Sequence, residues 1–198
     1  MDKVFTALAV SVDGFITGRD PGPERGLGDG GILFDWYGSG DVPSRTFGGF
    51  KLSELSRSIF DDIAERIGAV VAGRNTYNDS DGFGGSGSPH PTAPLIVVSH
   101  RPPPPESTDQ QTFVTSIETG VEHARAVAGD RDIALMGGGV TTGALRAGLV
   151  DEVILHQVPV LLGAGRRLFQ ELPEHIRLSL VEAVPAPGVT HLHYRIEK

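Results

Sequence analysis

The sequence of 198 residues contains no cysteine and is poor in basic residues, and both shortages exclude classes of protein. Without a thiol, the chain can form neither a disulfide framework nor a thiolate metal site. Lysine and arginine number 17 against 25 acidic residues, which gives a net charge of −8. Because nucleic acids and acidic membranes attract clustered basic side chains, we expect neither as a partner. A small-molecule substrate and a second copy of the chain remain as the expected partners.

Long apolar runs are also missing. No stretch approaches the roughly 20 apolar residues that a membrane helix needs. No basic segment followed by an apolar one begins the sequence, so a cytoplasmic location is expected. The length suits one sizeable hydrophobic core, and residues 1–198 are predicted to form a single domain.

Tryptophan occurs once, at position 36, inside an unusual segment. Residues 18–49 are rich in glycine, aspartate and proline but also carry several aromatic side chains. The segment is too long for an ordinary connector and too aromatic for a solvated linker, so we predict a functional loop or lid. Trp36 either walls a substrate pocket or fastens this loop to the core.

Short apolar runs alternate with segments of helical periodicity along most of the chain. The predicted strands are residues 4–12, 69–72, 95–99, 133–136, 152–162, 176–186 and 189–196. The predicted helices are residues 51–67, a segment opening at 73–76, one that begins at the capping box formed by Thr115 and Glu118, and residues 140–148. The pattern predicts an α/β fold with a mixed, mostly parallel sheet, helices on both faces and a terminal antiparallel hairpin.

Three strand exits carry groups suited to the phosphates of a dinucleotide. These exits are Gly73-Arg74-Asn75-Thr76, Ser99-His100-Arg101 and Gly137-Gly138-Gly139. The arginine fork matches two phosphate oxygens, and glycines let a ligand reach backbone N–H groups where a helix begins. In the alternative interpretation the glycines serve tight packing and the arginines are solvated. Because parallel strands end at one edge of a sheet, the three exits together favour ligand binding.

In order and spacing these segments, with residues 7–16, resemble the dihydrofolate reductase superfamily. Residues 148–152 and 159–169 are most similar to the C-terminal reductase domain of the bifunctional riboflavin-pathway deaminase-reductase and its stand-alone relatives. The resemblance implies a dihydrofolate reductase-like three-layer α/β/α fold, an NADPH-dependent reductase activity and a homodimer. The residues that it assigns to NADPH are Ala9, Ile16, Gly73, Arg74, Thr76, Ser99, His100, Arg101, Gly137, Gly138, Gly139, Val140 and Thr141.

The proton donor and the substrate contacts are less determined. Asp13 and Glu54 are the candidate catalytic carboxylates, although Asp13 precedes a glycine and also suits a plain turn. Trp36 and Arg166 are the candidate substrate-binding residues. His156, His191 and His193 lack the cysteine or converging carboxylates of a metal centre, so we expect no metal and interpret them as half-exposed sheet histidines.

Two classes of function remain open at this point. The first is an enzyme that transfers a hydride from NADPH to a small heterocyclic or carbonyl substrate, similar to the reductase acting on 5-amino-6-ribosylaminopyrimidine. The second is an NADP(H)-binding module without turnover. True dihydrofolate reductase activity is disfavoured because Glu54 is the only acid in the stretch where a pteridine-binding carboxylate is expected.

Overall fold

The computed structural model describes residues 2–197 and contains one large sheet of eight strands. Its strand order is β6-β5-β4-β7-β1-β8-β10-β9. The strands are β1 (Val4–Ser11), β4 (Ile67–Gly73), β5 (Leu95–Val98), β6 (Gln111–Val114), β7 (Asp132–Met136), β8 (Glu152–Val158), β9 (Leu178–Ala186) and β10 (Val189–Ile196). A separate two-stranded ribbon pairs β2 (Val42–Pro43) with β3 (Lys51–Leu52).

Helices pack on both faces of the sheet. They are α1 (Glu54–Glu65), α2 (Arg74–Asp79), α3 (Ile117–Ala128) and α4 (Gly138–Arg146), with 3₁₀ segments at Gly30–Gly38 and Asp81–Ser86. On one face, α3 and α4 bury apolar side chains such as Val121 and Ala144 against the central strands. Side chains of α1 and α2, among them Ile63 and Tyr77, pack on the other face. The three-layer α/β/α prediction is therefore confirmed.

All neighbouring strands from β6 through β8 are parallel, whereas β10 and β9 are antiparallel. The predicted mixed sheet and terminal hairpin are thus confirmed. The parallel strands end at one edge, which brings the three candidate strand exits to the same side of the molecule. No helix within residues 2–197 is both long and apolar enough to span a membrane.

Several boundaries differ from the sequence prediction for identifiable reasons. The predicted helix over 51–67 starts only at Glu54, because Ser53 caps it by accepting a hydrogen bond from the Ser56 N–H. Helix α3 is capped by Ser116, whose hydroxyl accepts from the Thr119 N–H, so the predicted capping box is shifted by one residue. Strand β6 was not predicted, since its four residues carry only two apolar side chains.

Candidate active site

One cavity of about 990 Å³ opens at the carboxyl ends of the parallel strands. Every one of the three strand exits contributes to its lining. Among the residues predicted to hold a cofactor, the lining contains Ala9, Ile16, Gly73, Arg74, Thr76, Ser99, His100, Gly137, Gly138, Gly139 and Val140. The fold therefore brings together residues from the ends of four strands. The first and last of these residues, Ala9 and Val140, are more than 130 positions apart in the chain.

The three glycines at the junction of β7 and α4 have different physical reasons for being glycine. Gly137 has a φ of 104°, which L side chains rarely adopt. A Cβ at Gly138 would lie 2.1 Å from the Arg167 carbonyl oxygen, so this residue is required by the close approach of two backbone segments. At Gly139 a Cβ would meet only the Gln170 side chain, at 3.8 Å. Gly139 is thus the glycine that leaves open space at the start of α4, where unpaired N–H groups face the cavity.

Arg74 and Ser99 form the second part of the site. The guanidinium of Arg74 donates to the Ser99 hydroxyl at 3.3 Å, to the Pro102 carbonyl at 2.8 Å and to the Asn78 side chain at 2.9 Å. These bonds hold a half-buried arginine at the cavity wall with donors to spare, since a guanidinium has five. The arrangement is a preorganised cation suited to a phosphate.

Two residues assigned to the cofactor lie elsewhere. Arg101 is exposed and does not line the cavity, although its backbone N–H donates to the Ser99 hydroxyl at 3.0 Å. Thr141 is fully buried, its N–H donates to the Gly137 carbonyl and its hydroxyl donates to Thr6. The contact of Arg101 with Ser99 is thus made by its backbone, and the N–H and hydroxyl of Thr141 are both engaged within the protein.

Arg166 does line the cavity, but its charge is already paired. Its guanidinium forms an ion pair with Asp79, whose side chain is only 7% exposed. The backbone N–H of Arg166 donates to the Thr17 hydroxyl at 2.8 Å. These contacts fix the segment that follows β8 against the loop after β1, so that a substrate phosphate would have to compete with Asp79 for Arg166.

The two candidate carboxylates stand outside the cavity lining. Asp13 accepts from the Ser11 hydroxyl at 2.5 Å and from the backbone N–H groups of Leu162 and Gly163 at 3.1 and 2.7 Å. These bonds, that from Ser11 first, lower the pKa of Asp13, which disfavours the protonated form that a proton donor needs. Glu54 is exposed in the first turn of α1. The catalytic roles of Asp13 and Glu54 stay predictions. The observed hydrogen bonds of Asp13 connect the loop after β1 to the segment that follows β8.

A cluster of aromatic rings forms another part of the cavity lining. We call this cluster the aromatic end. Each of its rings lies 4.5–6.0 Å from at least one other ring of the cluster, measured between centroids. Its members, all in the cavity lining, are Phe34, Tyr37, Phe47, Phe50 and Phe60. Three of the five, Phe34, Tyr37 and Phe47, come from residues 18–49, so this segment does build a wall of the cavity, as its aromatic content predicts.

Trp36 is not part of that wall. Its side chain is 1% exposed and packs beneath the aromatic end, with centroid distances of 5.7 Å to Phe60 and 5.0 Å to His156. Of the two interpretations of Trp36, the structure shows the one in which it fastens the loop to the core. A lid that places Trp36 over a ligand would first have to extract it from this packing.

A buried histidine pair lies under the same wall and was not predicted. The Nδ1 atoms of His156 and His191 are 2.8 Å apart, and the Nε2 of His191 is 3.0 Å from the Ser56 hydroxyl. Burial lowers the pKa of His156 to about 3 and that of His191 to about 4, so both rings are neutral at pH 7. The expectation of half-exposed sheet histidines was wrong for these two. Strand alternation in β8 and β10 could have indicated that they share an inward face.

Within residues 2–197, no group of three or more histidine or acidic side chains is arranged to hold an ion. His90, the other buried histidine near the cavity, is committed to structure: its Nε2 bonds the Ala64 carbonyl, and its Nδ1 accepts from the N–H groups of Thr92 and Ala93.

Comparisons with known proteins identify a family and a shared fold. The family model for the RibD C-terminal domain matches residues 2–192. A protein of Shewanella sp. PV-4, described provisionally as a riboflavin biosynthesis protein, superposes with a TM-score of 0.71 and 23% identity over the full length of both chains. RibD of Acinetobacter baumannii gives 0.62 and 16%, with all of this chain matched to 58% of that protein.

A dihydrofolate reductase of Enterococcus faecalis, complexed with NADP(H) and RAB-propyl, gives a TM-score of 0.60 at 16% identity. It covers 99% of this chain and 97% of its own. A comparison with curated protein sequences finds no match. At these identities the solved structures establish the shared fold.

Proposed function

The chain belongs to the RibD C-terminal domain family, and from this premise we propose that it is an NADPH-dependent reductase acting on a small heterocyclic or carbonyl substrate. The observation that carries the proposal is the continuity of one cavity from the open start of α4 to the aromatic end. Such a cavity can hold an extended dinucleotide and a second, planar molecule side by side. A module that only binds NADP(H) has no need of the second compartment.

The proposed cofactor site uses the cavity-lining residues at the strand exits. Backbone N–H groups of Gly138, Gly139 and Val140 would meet the pyrophosphate, because the α4 N-terminus favours negative charge. Arg74 and Ser99 would meet the adenosine 2′-phosphate that distinguishes NADPH from NADH. The hydrogen bond between Arg74 and Ser99 and their place in the cavity lining support this assignment. NADPH, when bound, supplies the hydride for the reduction.

The residues beside the proposed nicotinamide site would position the substrate and exclude water. Ala9 on β1 pairs in register with His156 on β8, so the buried histidine lies one strand away from the backbone that the resemblance assigns to the nicotinamide. The aromatic end packs above that position. A compartment that excludes water would favour hydride transfer to the substrate over side reactions with water.

We also propose that two copies of the chain associate through the sheet edge formed by β9. That strand is an edge strand, and three of its apolar side chains are largely exposed: Leu178 at 41%, Leu180 at 58% and Val181 at 47%. An open edge with apolar side chains is prone to pair with another chain. The cytoplasmic location expected from the sequence stays a prediction.

Turnover tests the proposal directly. The purified protein is incubated with NADPH and a panel of pteridines, the ribosylaminopyrimidine and simple quinones, and NADPH oxidation is followed by absorbance. We expect at least one member of the panel to accelerate oxidation, and Arg74→Ala to weaken NADPH use more than the exposed-site control Arg101→Ala. A protein that binds NADPH but oxidises it with no acceptor would instead be the non-catalytic module.

A further inference from the structure

Among the described residues, no charged side chain of the cavity lining contacts the aromatic end. Within residues 2–197, the charged side chains of the cavity lining are three arginines and one aspartate, and none of them contacts a ring of the aromatic end. Each is engaged elsewhere: Arg74 with Ser99, Arg166 with Asp79, and Arg167 over the ring of Phe15 at 4.5 Å. An anionic group placed at the aromatic end would therefore lose water without gaining a cation.

The rings of the aromatic end form a flat stack. The ring of Tyr37 lies parallel to that of Phe50, with centroids 4.5 Å apart and an interplanar angle of 8°. On its other side it stacks on Phe34 at 5.2 Å and 10°. Parallel rings of this sort favour a planar aromatic neighbour through offset stacking. Phe34 is 41% exposed, which leaves the outer member of the stack open to a ligand.

Neutral polar groups complete this compartment. His156 lines the cavity while its side chain is almost wholly buried, and its Nδ1 is engaged by His191. The described residues offer its Nε2 no hydrogen-bond partner, so this nitrogen is free to meet a ligand. The phenol of Tyr37 stays protonated at neutral pH because burial raises its pKa. Both groups suit a carbonyl or ring nitrogen better than an anion.

Resting on the proposed function, we propose that the substrate is an uncharged planar aromatic ring bearing a carbonyl, without a phosphate group. The ring stacks at the aromatic end and its polar edge meets the Nε2 of His156. Within residues 2–197, the cavity lining offers no cation in contact with these rings, and this separates the proposed substrate class from one whose anionic group binds beside the ring. Size agrees, since the cavity of about 990 Å³ must hold the cofactor as well as the ring.

The test is equilibrium binding of a matched pair of probes, 1,4-naphthoquinone and its 2-sulfonate, which differ by one anionic group. Binding is read from quenching of Trp36, the only tryptophan, which packs 5.0 Å from His156. The chain has no cysteine, so the quinone cannot form a thiol adduct. We expect saturable quenching, with the neutral probe bound about tenfold or more tightly than the sulfonate.

A variant that binds the sulfonate more tightly than the wild type does cannot owe this change to misfolding, so the test includes one. Phe34→Lys places a cation at the exposed rim of the aromatic end and should narrow the preference for the neutral probe by about tenfold, whereas Phe34→Leu should keep it. NADPH binding, measured on the same samples by calorimetry, separates the two proposals. A sulfonate that binds as tightly as the neutral probe, or no quenching by either probe in a protein that binds NADPH, would overturn the substrate class. Preference for the neutral probe without NADPH binding would support a site for neutral planar rings at the aromatic end and overturn the reductase.

Discussion

Acidification between pH 7 and pH 5 should destabilise the protein through the buried pair His156 and His191. Both rings are at most 3% exposed, and burial lowers their pKa values to about 3 and about 4. In the unfolded chain the same groups titrate near 6.5. Below that pH the two histidines bind protons in the unfolded state but stay neutral in the folded state. The free energy of unfolding therefore falls as the pH falls. The loss continues until the pH reaches the folded pKa values.

The magnitude follows from the two proton equilibria. Each histidine contributes about 1.4 kcal/mol per pH unit below 6.5, which is about 2 kcal/mol at pH 5 and about 4 kcal/mol for the pair. Such a change is a large share of a stability of about 5–15 kcal/mol. Carboxylates affect stability at lower pH. Burial raises the pKa of Glu152, but the hydrogen bonds from Lys3 and Arg66 outweigh it and lower this pKa to about 2. The contribution of Glu152 to the free energy of unfolding is therefore lost only below about pH 4.5.

The assay is urea unfolding at a series of pH values, followed by the emission of Trp36, which contacts both rings. His156→Phe should reduce the number of protons taken up on unfolding by about one. The slope of the unfolding free energy against pH should then fall by about 1.4 kcal/mol per pH unit. His175→Gln, at an exposed histidine, should leave the dependence unchanged. An unfolding free energy that varies by less than about 1 kcal/mol between pH 7 and pH 5 would refute the reasoning.

Three further predictions concern the cofactor and the assembly. Arg74→Ala should reduce the preference for NADPH over NADH by about tenfold or more, since charge-assisted hydrogen bonds of about 1.5–3 kcal/mol are lost. If calorimetry found the preference unchanged, the 2′-phosphate site could not be at Arg74. Gly139→Asp adds a carboxylate that suits the α4 N-terminus but repels a pyrophosphate, so NADPH affinity should fall about tenfold or more at unchanged melting temperature, whereas Gly139→Ala should still bind. Equal affinities in the two Gly139 variants would refute that site. Light scattering should give about twice the chain mass of 20.9 kDa, and Leu180→Glu should shift it towards the monomer; a monomeric wild type would contradict the β9 interface.

Much of the fold could be predicted because the local pattern and the global architecture agree. Buried parallel strands are short apolar runs, and each one ends in a turn or a helix that the sequence marks. Strand β6 escaped prediction because an edge strand of four half-buried residues has no such run. Helix α3 was displaced by one residue because two neighbouring hydroxyl residues, Thr115 and Ser116, can both cap a helix.

The site was harder to predict where a residue's task depends on distant backbone. The resemblance placed ligand contacts at Gly138, but a Cβ there would collide with the Arg167 carbonyl, 29 positions away in the chain. A valine at Gly138 would therefore damage the fold, and Gly139 is the better probe. The sequence also offered no means of telling that Arg166 would be paired with Asp79, since such ion pairs follow from packing alone.

Titration of the protein with NADPH and NADH in a calorimeter tests the central claim most directly. The account predicts one saturable site per chain that binds NADPH about tenfold or more tightly than NADH, because in the proposed site the guanidinium of Arg74, which donates to the Ser99 hydroxyl, would also donate to the 2′-phosphate. Equal affinity for the two nucleotides, or heat of binding from neither, would contradict it.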